Sequence, residues 1–297
     1  MLSAFSKGIG ESMEKTRIAG LNVWLDCSAY FSERLPAYRA GDAGDPDLIV
    51  RSELSKHLEQ IDGTVLAETA HNRVIRTADG RLCVCSLSGS DKRVAAASFY
   101  RDGYTAADIL IADCGSEKYL RELEYQKTYY AFSNRVLAAG GVILHGSAVY
   151  VDGEAVIFSA PSGTGKSTHS ALWQKYSAEP VMVINDDRPV IRFHDGKPWV
   201  YGAPWSGKSD INANLSAPLR AIVVLRQAKE CAAEQLDTAE KLFHLTGETS
   251  RPFYDKQLGL ASLDAVEKLA LSVPMYRLCC DISKNAVNVC RKAVFGD

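Results

Sequence analysis

Residues 160–168 read Ala-Pro-Ser-Gly-Thr-Gly-Lys-Ser-Thr, a set of residue types suited to holding a phosphate. They fit the pattern G-x-x-x-x-G-K-[ST], with Ala160 in place of the first Gly. Gly163 and Gly165 permit a tight backbone. Successive N–H groups along Ser162, Gly163, Thr164, Gly165, Lys166, Ser167 and Thr168 can then converge on phosphate oxygens. Lys166 supplies a cation for the terminal phosphates, and the Ser167 hydroxyl can complete a Mg²⁺ shell. A helix starting here would aim its positive end at the same anion. A second cluster, Asn185-Asp186-Asp187-Arg188, follows the apolar run Val181-Met182-Val183-Ile184. Carboxylates at a strand's carboxyl end sit where α/β sheets collect ligands. One can hold Mg²⁺ and the other can take a proton from an attacking hydroxyl, since neighbours on an extended chain face opposite ways. His145-Gly146-Ser147 forms a third cluster, although a single His is more often structural than chemical.

The elements that must position these residues can be read from apolar periodicity. Val142-Ile143-Leu144, residues 148–151, Ala155-Val156-Ile157-Phe158, residues 181–184 and residues 221–225 predict strands, and Asp152-Gly153 predicts a turn between the second and third. Residues 169–176, 238–245, 262–271 and 284–294 predict helices, and residues 275–282 a further strand. Strands alternating with helices predict an α/β domain over residues 116–297, a nucleotide-binding and catalytic domain entered by a helix over residues 116–139. Residues 1–115 read differently. Short segments such as Leu21-Asn22-Val23-Trp24-Leu25, Arg73-Val74-Ile75-Arg76 and Leu82-Cys83-Val84-Cys85 are separated by turn clusters. They predict a mostly antiparallel β domain with one helix near residues 51–60.

Composition excludes several classes. The chain has 297 residues, 46% of them hydrophobic, and a net charge of −2, which argues against a broad grip on nucleic acid or a membrane. Residues 1–17 lack an apolar signal core, and no apolar run approaches the ~20 residues of a membrane span. The eight cysteines form no C-x-x-C pair, so zinc is not expected and a reducing cytoplasm is. Cys83 and Cys85 would share one strand face as buried thiols.

The ordered trio His145-Gly146, Ser162-Gly163-Thr164-Gly165-Lys166-Ser167 and Asp186-Asp187-Arg188 resembles the HPr kinase/phosphorylase family. It is also similar to the nucleotide half of phosphoenolpyruvate carboxykinases. The resemblance spans roughly residues 119–294 and is closest to HPr-kinase-like proteins of peptide-modification clusters, including lasso-peptide kinases. It implies a P-loop fold of that type and an ATP- and Mg²⁺-dependent transfer of the γ-phosphoryl group to a hydroxyl, on Ser or Thr of a peptide or protein or on a small molecule. It further implies Asp186 as the base with His145 orienting it, Asp187 and Ser167 as Mg²⁺ ligands, Lys166 on the β- and γ-phosphates, and a homo-oligomer. The family's Glu in a Gly-rich acceptor-side segment is missing. In its place stands Tyr201-Gly202-Ala203-Pro204-Trp205-Ser206-Gly207-Lys208, where Lys208 could reach a phosphate or the acceptor. Arg226 and Arg251 are further candidates to stabilise transferring charge.

Two rival readings remain. A carboxykinase-like reaction on a small acid would need metal ligands and an arginine clamp that the sequence does not display. A non-catalytic nucleotide-binding regulator would tolerate loss of Asp186, Asp187, Lys166 or His145, all of which are present. A guanine-reading Asn-Lys-x-Asp is absent, since Gly207-Lys208-Ser209-Asp210 lacks the Asn.

Overall fold

The computed structural model describes residues 13–42, 44–56, 58, 61–89 and 91–296. The chain divides into two compact units, Met1–Ala138 with Phe253–Asp255, and Ala139–Pro252 with Lys256–Asp297.

The first unit contains β1 (Glu14–Ile18), β2 (Leu21–Asp26), the single-turn helix α1 (Ala29–Ser32), β3 (Leu48–Ser55), β4 (Thr64–Glu68), β5 (Asn72–Arg76), β6 (Leu82–Ser88), β7 (Arg93–Tyr100), β8 (Ala106–Ala112) and the long helix α2 (Glu117–Ala138). The strands form one eight-stranded sheet in the order β1-β2-β3-β8-β7-β6-β5-β4. Its pairings are antiparallel except where β3 runs parallel to β2 and β8. The helix expected near residues 51–60 is not formed: residues 51–55 continue β3, and residues 57, 59 and 60 lie outside the described residues. Leu48 and Val50 are buried and alternate with half-buried Ile49 and Arg51. That period of two, satisfied by ladders on both edges, overrides local helix preference. Helix α2 packs on β3, β7 and β8 and buries Tyr129, Phe132, Val136 and Leu137. The boundary expected at residue 115 and the division after residue 138 therefore differ by this helix.

The second unit contains β9 (Val142–Ile143), β10 (Gly146–Val151), β11 (Glu154–Ser159), α3 (Lys166–Tyr176), β12 (Met182–Asn185), β13 (Val190–His194), β14 (Lys197–Tyr201), β15 (Ser216–Gln227), β16 (Ala232–Gln235), α4 (Thr238–Glu248), α5 (Lys256–Ser272), β17 (Met275–Cys280) and α6 (Lys284–Phe295). The nine-stranded sheet runs β12-β10-β11-β15-β14-β13-β9, with β17 beside β15 and β16 beside β17. Long β15 serves both halves. Residues 216–218 pair antiparallel with β14, and its later residues pair parallel with β11 and β17.

Strand β11 is apolar at consecutive positions because both of its faces are covered. Ala155 and Ile157 join Leu245 of α4 and Val266 and Leu269 of α5. Val156 and Phe158 join Trp173 of α3 and Val287, Cys290 and Val294 of α6. Trp173 is fully buried, with its ring 5.4 Å from that of Phe158. The floor beneath residues 160–165 is thus a close-packed layer with little freedom to relax.

Candidate functional site

The chain leaves β11 at Ser159, turns through residues 160–165 and enters α3 at Lys166. Gly163 and Gly165 hold φ of 81° and 110°, the region that favours glycine. Ala160 replaces the expected first glycine without strain. Its φ is not positive, and its methyl group is fully buried among Phe158 and Trp173. Among the described residues no side chain caps α3, so the exposed first turn at Ser167 and Thr168 keeps backbone donors for an anion.

Lys166 folds back over this loop. Its Nζ donates to Ala160 O at 2.8 Å and Pro161 O at 3.3 Å, and lies 2.9 Å from His145 Nε2. Burial lowers its pKa, while the carboxylates of Glu248, Asp187 and Asp186 pull the other way. On the far side of the imidazole, His145 Nδ1 lies 3.3 Å from Asp187 Oδ1. An ammonium only donates, so Nε2 accepts and the ring proton sits on Nδ1, facing Asp187. Burial alone would raise the Asp187 carboxyl. The hydrogen bond from His145 and the charges of Arg188 and Lys166 outweigh burial and hold the group below the usual carboxylate range. Arg188 Nε is 3.1 Å from Asp187 Oδ2.

The two aspartates diverge, as an extended chain requires. Asp186 turns inward, where the buried Ser147 Oγ donates to its Oδ1 at 2.7 Å and shares a 2.7 Å hydrogen bond with Ser170 Oγ. The expected His145–Asp186 contact is replaced by His145–Asp187, and Ser147 is the side chain that touches Asp186. Asn185, also fully buried, fixes the turn. Its Oδ1 accepts from the backbone N–H of Asp187 and Arg188, and its Nδ2 donates to Ala203 O and Trp205 O. The same Asn thereby ties the segment 201–208 to the carboxylates. At Gly207, with φ of 70°, a Cβ would fall within 2.9 Å of Asp187 Cγ, Cβ and Oδ2. Lys208, next in the chain, is exposed. Sequence reasoning gave Ser147 and Asn185 no role, although each sits inside a cluster it singled out. Their only signal is a buried polar position that must find a partner.

An open groove of about 1000 Å³ adjoins the loop. Its walls are residues 161–164, the end of β15 from Val224 to Gln227, and the α4 side with Phe243, His244, Glu248 and Arg251. Arg226 and Arg251, far apart in sequence, both line this groove. His244 Nε2 lies 2.9 Å from Ser159 Oγ, which donates to His145 O, so His244 is the donor in its contact with Ser159. Burial lowers the His244 pKa, against the opposing charge of Glu248. Cys83 and Cys85, in the first unit, are buried thiols with sulfurs 3.7 Å apart. Among the described residues no helix is long and apolar enough to cross a membrane.

Fold and site together define a mixed α/β protein with two sheets, whose second unit gathers a Gly-rich turn, a lysine, a histidine and paired aspartates. The chain belongs to the family described as SynChlorMet cassette protein ScmC, whose family model matches residues 113–295. No curated protein matches the chain. Among solved structures there is a distant similarity to the Hpr(Ser) kinase/phosphatase from Coxiella burnetii. It covers 51% of this chain and 95% of that one, at 12% identity and a TM-score of 0.29.

Proposed function

We propose that the second unit is an ATP- and Mg²⁺-dependent phosphotransferase that moves the γ-phosphoryl group to a hydroxyl, on Ser or Thr of a peptide or protein. The observation that carries this reading is the chain of contacts Lys166–His145–Asp187 beside Asp186, at the mouth of a Gly-rich turn whose helix start is uncapped. Phosphoryl transfer asks for positioning and charge neutralisation more than covalent chemistry, and those groups supply both.

In this reading the loop amides from Ser162 to Thr168 and the Lys166 ammonium hold the phosphates. Asp186 would serve as the base toward the acceptor hydroxyl, with its Oδ1 held from the inner side by Ser147. Exposed Lys208, next in the chain to Gly207, would serve an incoming phosphate or acceptor. The donor set suits Mg²⁺: Asp187 is held ionised and Ser167 is exposed, and this ion commonly takes one or two protein oxygens plus phosphates and water. Asp187 and Ser167 would hold it, and it would neutralise charge developing between the phosphates. His145, with its proton on Nδ1, keeps Asp187 in place and links it to Lys166.

The test is incubation of the pure protein with γ-labelled ATP and Mg²⁺, with and without a lysate of its host, beside Asp186→Asn. Labelled product that falls at least a hundredfold with the variant, while ATP binding persists, is the expected result. Equal labelling by both proteins would sink the assignment.

A further inference from the structure

The groove beside the loop has no role in the chemistry described so far. We propose that it holds the nucleoside of the nucleotide, with the base stacked on Phe243. This assignment rests on the phosphate-loop reading and goes beyond it by placing the part of the ligand that the loop does not touch.

Sheet order gives the direction. Asp186 and Asp187 follow β12, which pairs with β10, and β10 pairs with β11, the strand that feeds the loop. The groove rises from the end of β15, on the opposite edge of β11. A polyphosphate lying over the loop with its reacting end toward the carboxylates must therefore leave its other end toward β15. The hydroxyl acceptor has to approach Asp186, so it comes from the other side.

The wall chemistry fits that end of a nucleotide. Phe243 is 85% exposed, while Leu245 of the same helix is fully buried and Leu242 is packed against the core. Helix α4 thus seats itself without Phe243, whose ring is left facing solvent on the groove. A flat apolar face suits the π-face of any base. Arg226 and Arg251 stand on the same walls, and Arg251 is steadied by donating from Nη2 to Thr246 O at 2.9 Å. They supply positive charge where the phosphates give way to the sugar. Gln227 Nε2 donates to Thr164 O at 3.1 Å, joining the groove wall to the loop. A volume of about 1000 Å³ is ample for a nucleoside, given pockets for small ligands of roughly 300–1,000 Å³.

Calorimetry with two ligands separates this proposal from the reading beneath it: MgATP, and inorganic tripolyphosphate, which has phosphates and no nucleoside. Phe243→Ala should weaken MgATP binding about tenfold, the scale of a lost stack, and leave tripolyphosphate within about twofold. Phe243→Tyr should keep wild-type affinity for both. Unchanged MgATP affinity in Phe243→Ala, or an equal loss of both ligands, would overturn the base assignment alone. Wild-type protein that binds neither ligand would overturn the phosphate-loop reading and this proposal with it.

Discussion

Asn185 and Gly207 show how single residues set the direction of two carboxylates. The amide of Asn185 is spent entirely on backbone groups, two on its own turn and two on the segment after β14. Gly207 lets that segment come within touching distance of Asp187. Ala at position 207 would bring a Cβ into Asp187 and would also have to adopt a positive φ, which costs roughly 1–2 kcal/mol in an L-residue. Gly207→Ala should therefore lower the unfolding free energy by about 1–2 kcal/mol and raise the Mg²⁺ concentration needed for half-maximal transfer. A urea titration and a Mg²⁺ titration of the transfer rate check both. An unchanged Mg²⁺ dependence would show that Asp187 is not a metal ligand.

At the scale of elements, the parts legible in sequence were those whose signal is local. Both ends of the loop were, because an apolar strand and an amphipathic helix flank it, and Asp152-Gly153 marked its hairpin, with φ of 52° and 83°. The hairpin β13–β14 turns on Asp195-Gly196, with φ of 49° and 78°. That is the same I′ signature, but Pro198 and the unbroken apolar run Trp199-Val200-Tyr201 spoil the alternation on its second arm. Residues 51–55, the second part of β3, read as helix in sequence because the strand's partners β2 and β8 are distant along the chain, and only pairing with them makes an extended chain the better state. Ser147 and Asn185 were opaque for the same reason, since their partners arrive from other elements. Helix α2 carries a conflict of another kind. Lys127 is buried, donates to Ser86 Oγ, and has its ammonium pushed down by burial from 10.5 to about 8. A lowered folded pKa means that the unfolded chain binds more protons between about 8 and 10.5, so stability rises with pH across that window. Below it the cost of the buried charge is fully present, at most about 3 kcal/mol, offset by about 1 kcal/mol from the hydrogen bond. Lys127→Met should thus stabilise the protein by about 1–2 kcal/mol at pH 7, with the gain shrinking as pH rises from 8 to 10.5. Urea midpoints at pH 7 and pH 10 test this, and a gain constant with pH would refute it.

For the whole molecule, the division of labour follows from where the cores and the family match lie. The match begins at residue 113, so it takes in α2 and nearly all of the second unit and leaves β1 to β8 aside. Every residue assigned here to nucleotide or acceptor belongs to the second unit. That unit has its own two-faced core about β11 and β15, while the first has a separate cluster about Ile75, Cys83, Cys85 and Phe99. A ligand that binds only the folded site stabilises it by mass action, about 2.7 kcal/mol at a hundred times Kd. Amide exchange should report where that energy enters. With MgATP at saturating concentration, exchange should slow by about tenfold or more in β11, the loop at 160–165, the start of α3 and the end of β15, because these amides line the phosphates or the groove. Helix α4 should follow if its Phe243 takes the base. The strands β5, β6 and β7 carry no residue of the site and should show the smallest change. Protection centred on β5–β7 instead would move the nucleotide to the first unit and undo the assignment of Lys166, Asp186 and Asp187 together.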